Sequence, residues 1–135
     1  MTNKKVGSNM FDLHGRVAVV TGSSAGLGVY MAKALARQGA KVALLARRME
    51  KLEEVAAEIR AEGGEALPVR CDVTSSEEVK AAAAKVVEVY GTVDILVNNA
   101  GTGLPSTVID MPDERWAAVF ALNIDGMMRC TREFG

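Results

Sequence analysis

What the chain lacks narrows its chemistry before anything it contains. There is one histidine, His14, placed ahead of the first apolar run with no partner nearby in sequence. It is expected on the surface, which argues against a histidine-based hydrolytic triad and against a zinc enzyme. The two cysteines, Cys71 and Cys130, lie far apart and match no metal spacing, so two reduced thiols are expected. No stretch reaches the roughly 18 consecutive apolar residues that a membrane span requires. The basic start Met1-Thr2-Asn3-Lys4-Lys5 runs into Val6-Gly7-Ser8-Asn9-Met10, which is no apolar core for a signal peptide, so a cytoplasmic protein is expected. An excess of one charge is missing too. The net charge is -1 and both signs are interspersed, so neither nucleic acid nor anionic membrane is expected as a partner.

What is present reads as one folded unit. The 135 residues suffice for one domain and are too few for two, and 49% hydrophobic content is too rich for a disordered chain. Short apolar runs alternate with helical patterns, and no repeat, low-complexity tract or linker interrupts them. Val17 to Val20 reads as a first strand. Leu27 to Gln38 is helical, with Leu27, Met31, Ala32, Leu35 and Ala36 on one face and Gly39 as its stop. Val42 to Ala46 is the second strand, and Met49, Leu52, Val55, Ala56 and Ile59 line a helix ended by Gly63-Gly64. Ala66 to Arg70 makes a third, shorter strand. Ser75 or Ser76 caps the next helix, which turns Val79, Ala82, Val86 and Tyr90 inward. Asp94 to Asn98 is the fourth strand, and Pro112-Asp113-Glu114 opens a last helix bearing Trp116, Val119 and Phe120. Strands that are apolar throughout are buried on both faces, so the fold class is α/β, a doubly wound parallel sheet covered by helices.

Between the first strand and first helix stands TGSSAGLG, residues 21 to 28. The spacing Gly22, Gly26, Gly28 is not a P-loop, which needs a lysine after its last glycine, and Ser24 breaks the commoner G-x-G-x-x-G. The physical logic of a dinucleotide turn survives: glycines permit a tight turn, close approach of backbone N–H groups to a pyrophosphate, and close helix–sheet packing. Ser23 and Ser24 add hydroxyl donors. At the end of the second strand, where an acidic residue would hold a ribose, the chain has Arg47-Arg48. A guanidinium pairs with phosphate, which favours NADP over NAD, with Arg47 ahead of Arg48; otherwise both arginines pair with Glu50 or Glu54 on a solvated helix.

With Thr21-Gly22-x-x-x-Gly26-Leu27-Gly28, then Asp72-Val73, then Asn98-Asn99-Ala100-Gly101, the chain from about Leu13 onward resembles the short-chain dehydrogenase/reductase family. The resemblance implies a Rossmann-type domain over 13–135 after an N-terminal extension of residues 1–12. It implies that Gly22 to Gly28 wrap the pyrophosphate, that Asp72 meets the adenine amino group with Val73 beside the ring, and that Asn99, Ala100 and Gly101 line the adenosine ribose side. Asn123 matches the asparagine of the family's catalytic tetrad. Many NADP-preferring members carry a basic residue before the middle glycine, where this chain has Ala25. Taken singly, each motif has a plainer role: Asp72 as a turn carboxylate before Thr74, Asn98 fastening neighbouring strands, Asn123 as a buried amide.

The family's Ser and Tyr-x-x-x-Lys are absent. Tyr30 is followed four residues on by Ala34, and Tyr90 by Asp94. The expectation is therefore a cofactor-binding part, truncated after the fourth strand and the start of the following helix, with that strand left as an exposed apolar edge. The resemblance implies that the whole enzyme passes hydride between nicotinamide and a small carbonyl or alcohol, as a homo-tetramer or homo-dimer formed through the helix that begins near Pro112 and the one after it. Leu44 to Arg48 with Lys51-Leu52 resembles members that act on a keto-gluconate, with hydroxysteroid dehydrogenases and ketoacyl reductases close beside them. The competing expectations are a non-catalytic dinucleotide-binding module, an inert truncated product, or a chain that completes its sheet with another polypeptide.

Overall fold

A computed structural model describes residues 10–103 and 105–135. Residues 1–9 of the expected N-terminal extension lie outside it. Four strands, β1 (Val17–Thr21), β2 (Lys41–Ala46), β3 (Glu65–Arg70) and β4 (Ile95–Val97), form one parallel sheet in the order β3-β2-β1-β4. The crossovers are α1 (Leu27–Arg37), α2 (Met49–Ala61) and α3 (Ser76–Tyr90). After β4 come α4 (Asp113–Phe120), a wide π-helical turn (Ala121–Asp125) and α5 (Gly126–Phe134).

Alternation along each strand sorts its side chains into two cores. Val17, Val19, Ala43, Leu45 and Val69 face α3 and α5, where they meet Val79, Ala82, Val86, Cys130 and Phe134. Ala18, Val20, Val42, Leu44 and Ala66 face α1 and α2, where they meet Ala32, Ala36, Leu52, Val55 and Ile59. Each fully buried Val, Leu or Ile contributes roughly 1.5–3 kcal/mol, so the two central strands anchor the domain. β1 is buried from end to end, whereas β4, with a partner on one side only, is half-buried throughout. β4 is the edge strand as expected, but its apolar residues are half-buried rather than exposed, and the strand is shorter than Asp94 to Asn98. Asp94 instead closes the start of β1, its carboxylate accepting from Val17 N–H at 2.8 Å.

Other sequence expectations need correction. β3 has six residues and is no shorter than β2; its Pro68 is tolerated because β3 is the opposite edge of the sheet. Leu27 is 63% exposed, and the buried stripe of α1 is Gly28, Ala32 and Ala36. Small residues at i, i+4 and i+8 let this helix approach the sheet more closely than a leucine face would. His14 is exposed as expected but not alone: its ring and backbone N–H both contact the Asp12 carboxylate. Ser75, not Ser76, caps α3, its Oγ accepting from Glu78 N–H at 3.3 Å.

Candidate functional site

From β1 the chain steps outward to β2 and β3 and then returns through α3 to β4 on the other side of β1, so the sheet order reverses beside β1. In such sheets ligands bind outside the carboxyl ends of the strands at that reversal. A cleft of about 250 Å³ lies there. Every strand contributes to it: Gly22, Ser24 and Ala25 follow β1, Leu45 to Arg48 end β2, Cys71, Asp72 and Val73 follow β3, and Ala100 and Gly101 follow β4. Leu122, from the wide turn, completes the lining.

The three glycines of the first turn are required for different reasons. Gly22 has φ +65°, and a Cβ there would stand 2.9 Å from Ala100 Cα. Gly26 has φ +60° in open space, so its need is conformational alone. A Cβ on Gly28 would sit 2.3 Å from the Gly22 carbonyl oxygen and 2.5 Å from Asn99 Nδ2. Gly26 occupies the N-cap of α1, where no side chain caps the helix and no acid occupies the first turn. No side chain therefore competes for the first N–H groups of α1, of which Val29 N–H meets Gly26 O at 3.2 Å.

Beneath the turn a small network joins β1 to β4. Thr21 Oγ1 accepts from the N–H groups of Asn99 and Ala100, both at 3.0 Å, and donates to Val97 O at 3.3 Å. Asn99 Nδ2 donates to the carbonyls of Thr21 and Gly22 at 3.2 and 3.1 Å. The fastening amide is therefore Asn99 rather than Asn98, whose Nδ2 reaches Thr131 Oγ1 at 3.3 Å on α5. Ser23 is also buried, its hydroxyl donating toward Leu45 O at 3.5 Å, whereas Ser24 lines the cleft.

On the far rim, Asp72 Oδ1 accepts from Thr74 N–H at 2.9 Å and Thr74 Oγ1 at 2.7 Å. The Thr74 hydroxyl, more than any other group, holds this carboxyl below its ordinary value; the Arg47 charge adds to the effect. Both readings of Asp72 are compatible. Oδ1 makes the turn, and Asp72 is also among the residues that line the cleft. Arg47 and Arg48 are exposed on the cleft wall. Neither pairs with Glu50 or Glu54, and Glu54 is taken by Lys51 at 3.5 Å.

Asn123 lies in the wide turn next to Leu122. Its Oδ1 accepts from Thr102 N–H at 2.8 Å and its Nδ2 donates to Thr102 O at 2.9 Å. That holds the segment following Gly101 against the helix, and wide helical turns of this kind frequently mark functional sites. Neither tyrosine lines the cleft. Tyr30 is exposed on α1, and Tyr90 lies near Lys41 at the start of β2, the opposite end of the sheet. Leu122, Cys71 and the hub role of Thr21 carry little local signature; a hydroxyl as the last residue of a buried strand is the one signal of the last.

Comparison with known proteins agrees with this geometry. The family pattern described as short chain dehydrogenase matches residues 16–135. An uncharacterized oxidoreductase of Staphylococcus haemolyticus is 42% identical over 119 residues, 88% of this chain and 51% of the relative. A short-chain type dehydrogenase/reductase from Mycobacterium marinum superposes with a TM-score of 0.89 at 39% identity, over 91% of this chain and 50% of that one. A metagenomic short-chain oxidoreductase, solved in complex with NADP, gives 0.85 at 42% identity, over 91% and 56%. The chain spans about half the length of the curated relatives it matches. With the glycine turn, the switch-point cleft and the matched residues all in register, the chain belongs to the short-chain dehydrogenase/reductase family.

Proposed function

We propose that this chain forms the NADP(H)-binding part of an oxidoreductase that interconverts a small carbonyl compound and its alcohol. The observation that carries the cofactor choice is the pair Arg47 and Arg48, two exposed cations that form no salt bridge among the described residues, on the wall of a cleft that also holds the glycine turn. A phosphate on the adenosine ribose supplies the missing anion, and an arginine fork suits it. The similar NADP-bound structure supports the same choice. In this reading Gly22, Ser24, Gly26 and the start of α1 hold the pyrophosphate, with Leu27 beside it. Ser23, Gly28 and Asn99 keep that turn in shape from below. Asp72 Oδ2 accepts from the adenine amino group beside Val73, and Ala100 and Gly101 border the ribose.

The bound dinucleotide supplies or accepts the hydride. Asn123, already gripping the backbone beside Gly101, positions the wall nearest the reacting carbonyl. No tyrosine of this chain stands there to donate or remove the proton. The keto-gluconate substrate is part of the proposal, resting on residues 44–52. So is a cytoplasmic setting, for which the absence of any helix long and apolar enough to cross a membrane is the support among the described residues. Self-association through α4 is supported by the exposure of Trp116 and Phe120.

The test is a fluorescence titration of the purified chain with NADPH and NADH. NADPH should bind more tightly, and Arg47→Asp should reverse the order. Unchanged relative affinities would remove the phosphate role of Arg47, and binding of neither dinucleotide would remove the reading altogether.

A further inference from the structure

Arg129 on α5 is half-buried and has no carboxylate partner among the described residues. Its Nε donates to Ser76 Oγ at 3.1 Å and its Nη1 to Val73 O at 3.4 Å. One turn earlier on the same helix, Gly126 is buried against this segment; a Cβ there would come within 2.7 Å of Val73 Cγ2. α5 therefore grips both ends of the turn from Val73 to Ser76. That turn is the one that aims Asp72: Thr74 holds Oδ1, and Ser75 starts α3.

A partly desolvated cation that meets only neutral acceptors recovers little of its lost hydration, so an apolar side chain would serve packing equally well. What a guanidinium adds is a rigid fork that reaches two acceptors in one geometry. We infer that Arg129 is a positioning residue, fixing the Asp72–Ser76 turn from outside the cleft and so setting the carboxylate that reads the base. The same continuous helical segment holds the other rim through Asn123 and Thr102, six residues upstream. One helix thus spans the two walls between which the dinucleotide lies. This inference rests on the nucleotide reading given above.

The test uses a readout that a purely structural role leaves alone, the preference for adenine over hypoxanthine. The purified chain is titrated with NADPH and with the reduced hypoxanthine analogue, whose ring carbonyl cannot donate to Asp72. The wild type should prefer adenine by about tenfold, the scale of one charge-assisted hydrogen bond. Arg129→Met should reduce the preference to about twofold or less. Arg129→Lys should retain part of it, and Ser76→Ala should give an intermediate value. Ser76→Ala removes one hydrogen bond outside the cleft, so it decides the matter if Arg129→Met fails to fold. An unchanged ratio in the variants, or equal weakening for both ligands, would overturn the positioning role. A wild type that binds both ligands equally overturns it too, since there is then no base reading to position. A wild type that binds neither sinks the nucleotide reading itself, an outcome distinct from these.

Discussion

Gly28 shows how much a single hydrogen atom decides. Its missing side chain is the space occupied by the Gly22 carbonyl and the Asn99 amide. Gly28→Ala must push backbone aside, and overpacking of this kind costs about 1–3 kcal/mol. A lowered melting temperature and at least tenfold weaker NADPH binding are expected; a variant matching the wild type in both would show that the turn yields without strain. The thiols make a second residue-scale case. Burial, with a smaller contribution from Cys130, pushes the Cys71 thiol up from 9.0 to about 12, and burial pushes Cys130 up to about 11. Folding thus favours the protonated form. The stability it confers is complete below about pH 9 and is lost as pH rises toward the folded values, because the unfolded thiols ionise first. Urea midpoints should be insensitive to these thiols at pH 7 and fall by pH 10, and Cys71→Ala should flatten that fall. Both thiols should resist alkylation at pH 8 until urea unfolds the chain.

At the scale of elements, β1 and β4 are joined as much by one hydroxyl as by their ladder. β4 has three residues, and Thr21 satisfies the two N–H groups that follow it. Thr21→Val preserves shape but strands the Ala100 N–H, at roughly 1–3 kcal/mol if water cannot reach it, while the Asn99 N–H keeps the Val97 carbonyl at 3.1 Å. Thr21→Ser should keep most of the stability. Chemical denaturation of the two variants separates the hydroxyl from the methyl; equal losses would assign the effect to packing. α3 offers a smaller measure of the same kind. Ser75→Ala should cost about 0.5–2 kcal/mol through its lost N-cap. Gly26 opens α1 without any side-chain cap, which suits the proposed pyrophosphate contact.

At the scale of the molecule, the groups of the proposed cofactor site collect at one end of the sheet; Tyr90 lies at the other end, and Tyr30, exposed on α1 near Ser24 and Gly26, does not line the cleft. The purified chain should therefore bind NADPH without oxidising it in the presence of aldehydes, ketones and a keto-gluconate. Absorbance at the nicotinamide band measures this directly, and sustained carbonyl-dependent oxidation would show a proton donor that the cleft as described does not contain. The exposed ring pair of Trp116 and Phe120, with centroids 4.9 Å apart, gives association its own test. Light scattering should register a self-associating chain that Trp116→Lys returns toward the monomer.

The sequence by itself determined the α/β class, the order of strands and helices, and the glycine turn, because these rest on local properties. Apolar runs, helical spacing and the freedom of glycine act over a few residues. It also exposed Arg47 and Arg48 as cations standing where an acid was due. Tertiary structure decided what depends on which chain segments meet. It made Asn99 rather than Asn98 the strand fastener, placed Leu27 in solvent while Gly28 packs inward, and tied Asp72 Oδ1 into the turn with Thr74 on the rim of the cleft. Arg129 is the clearest case: its two acceptors lie more than fifty positions away, and no local pattern of residues 126 to 134 points to them. Periodicity reports which side of an element is apolar. Only the packed sheet and helices set the partner that each polar group finds.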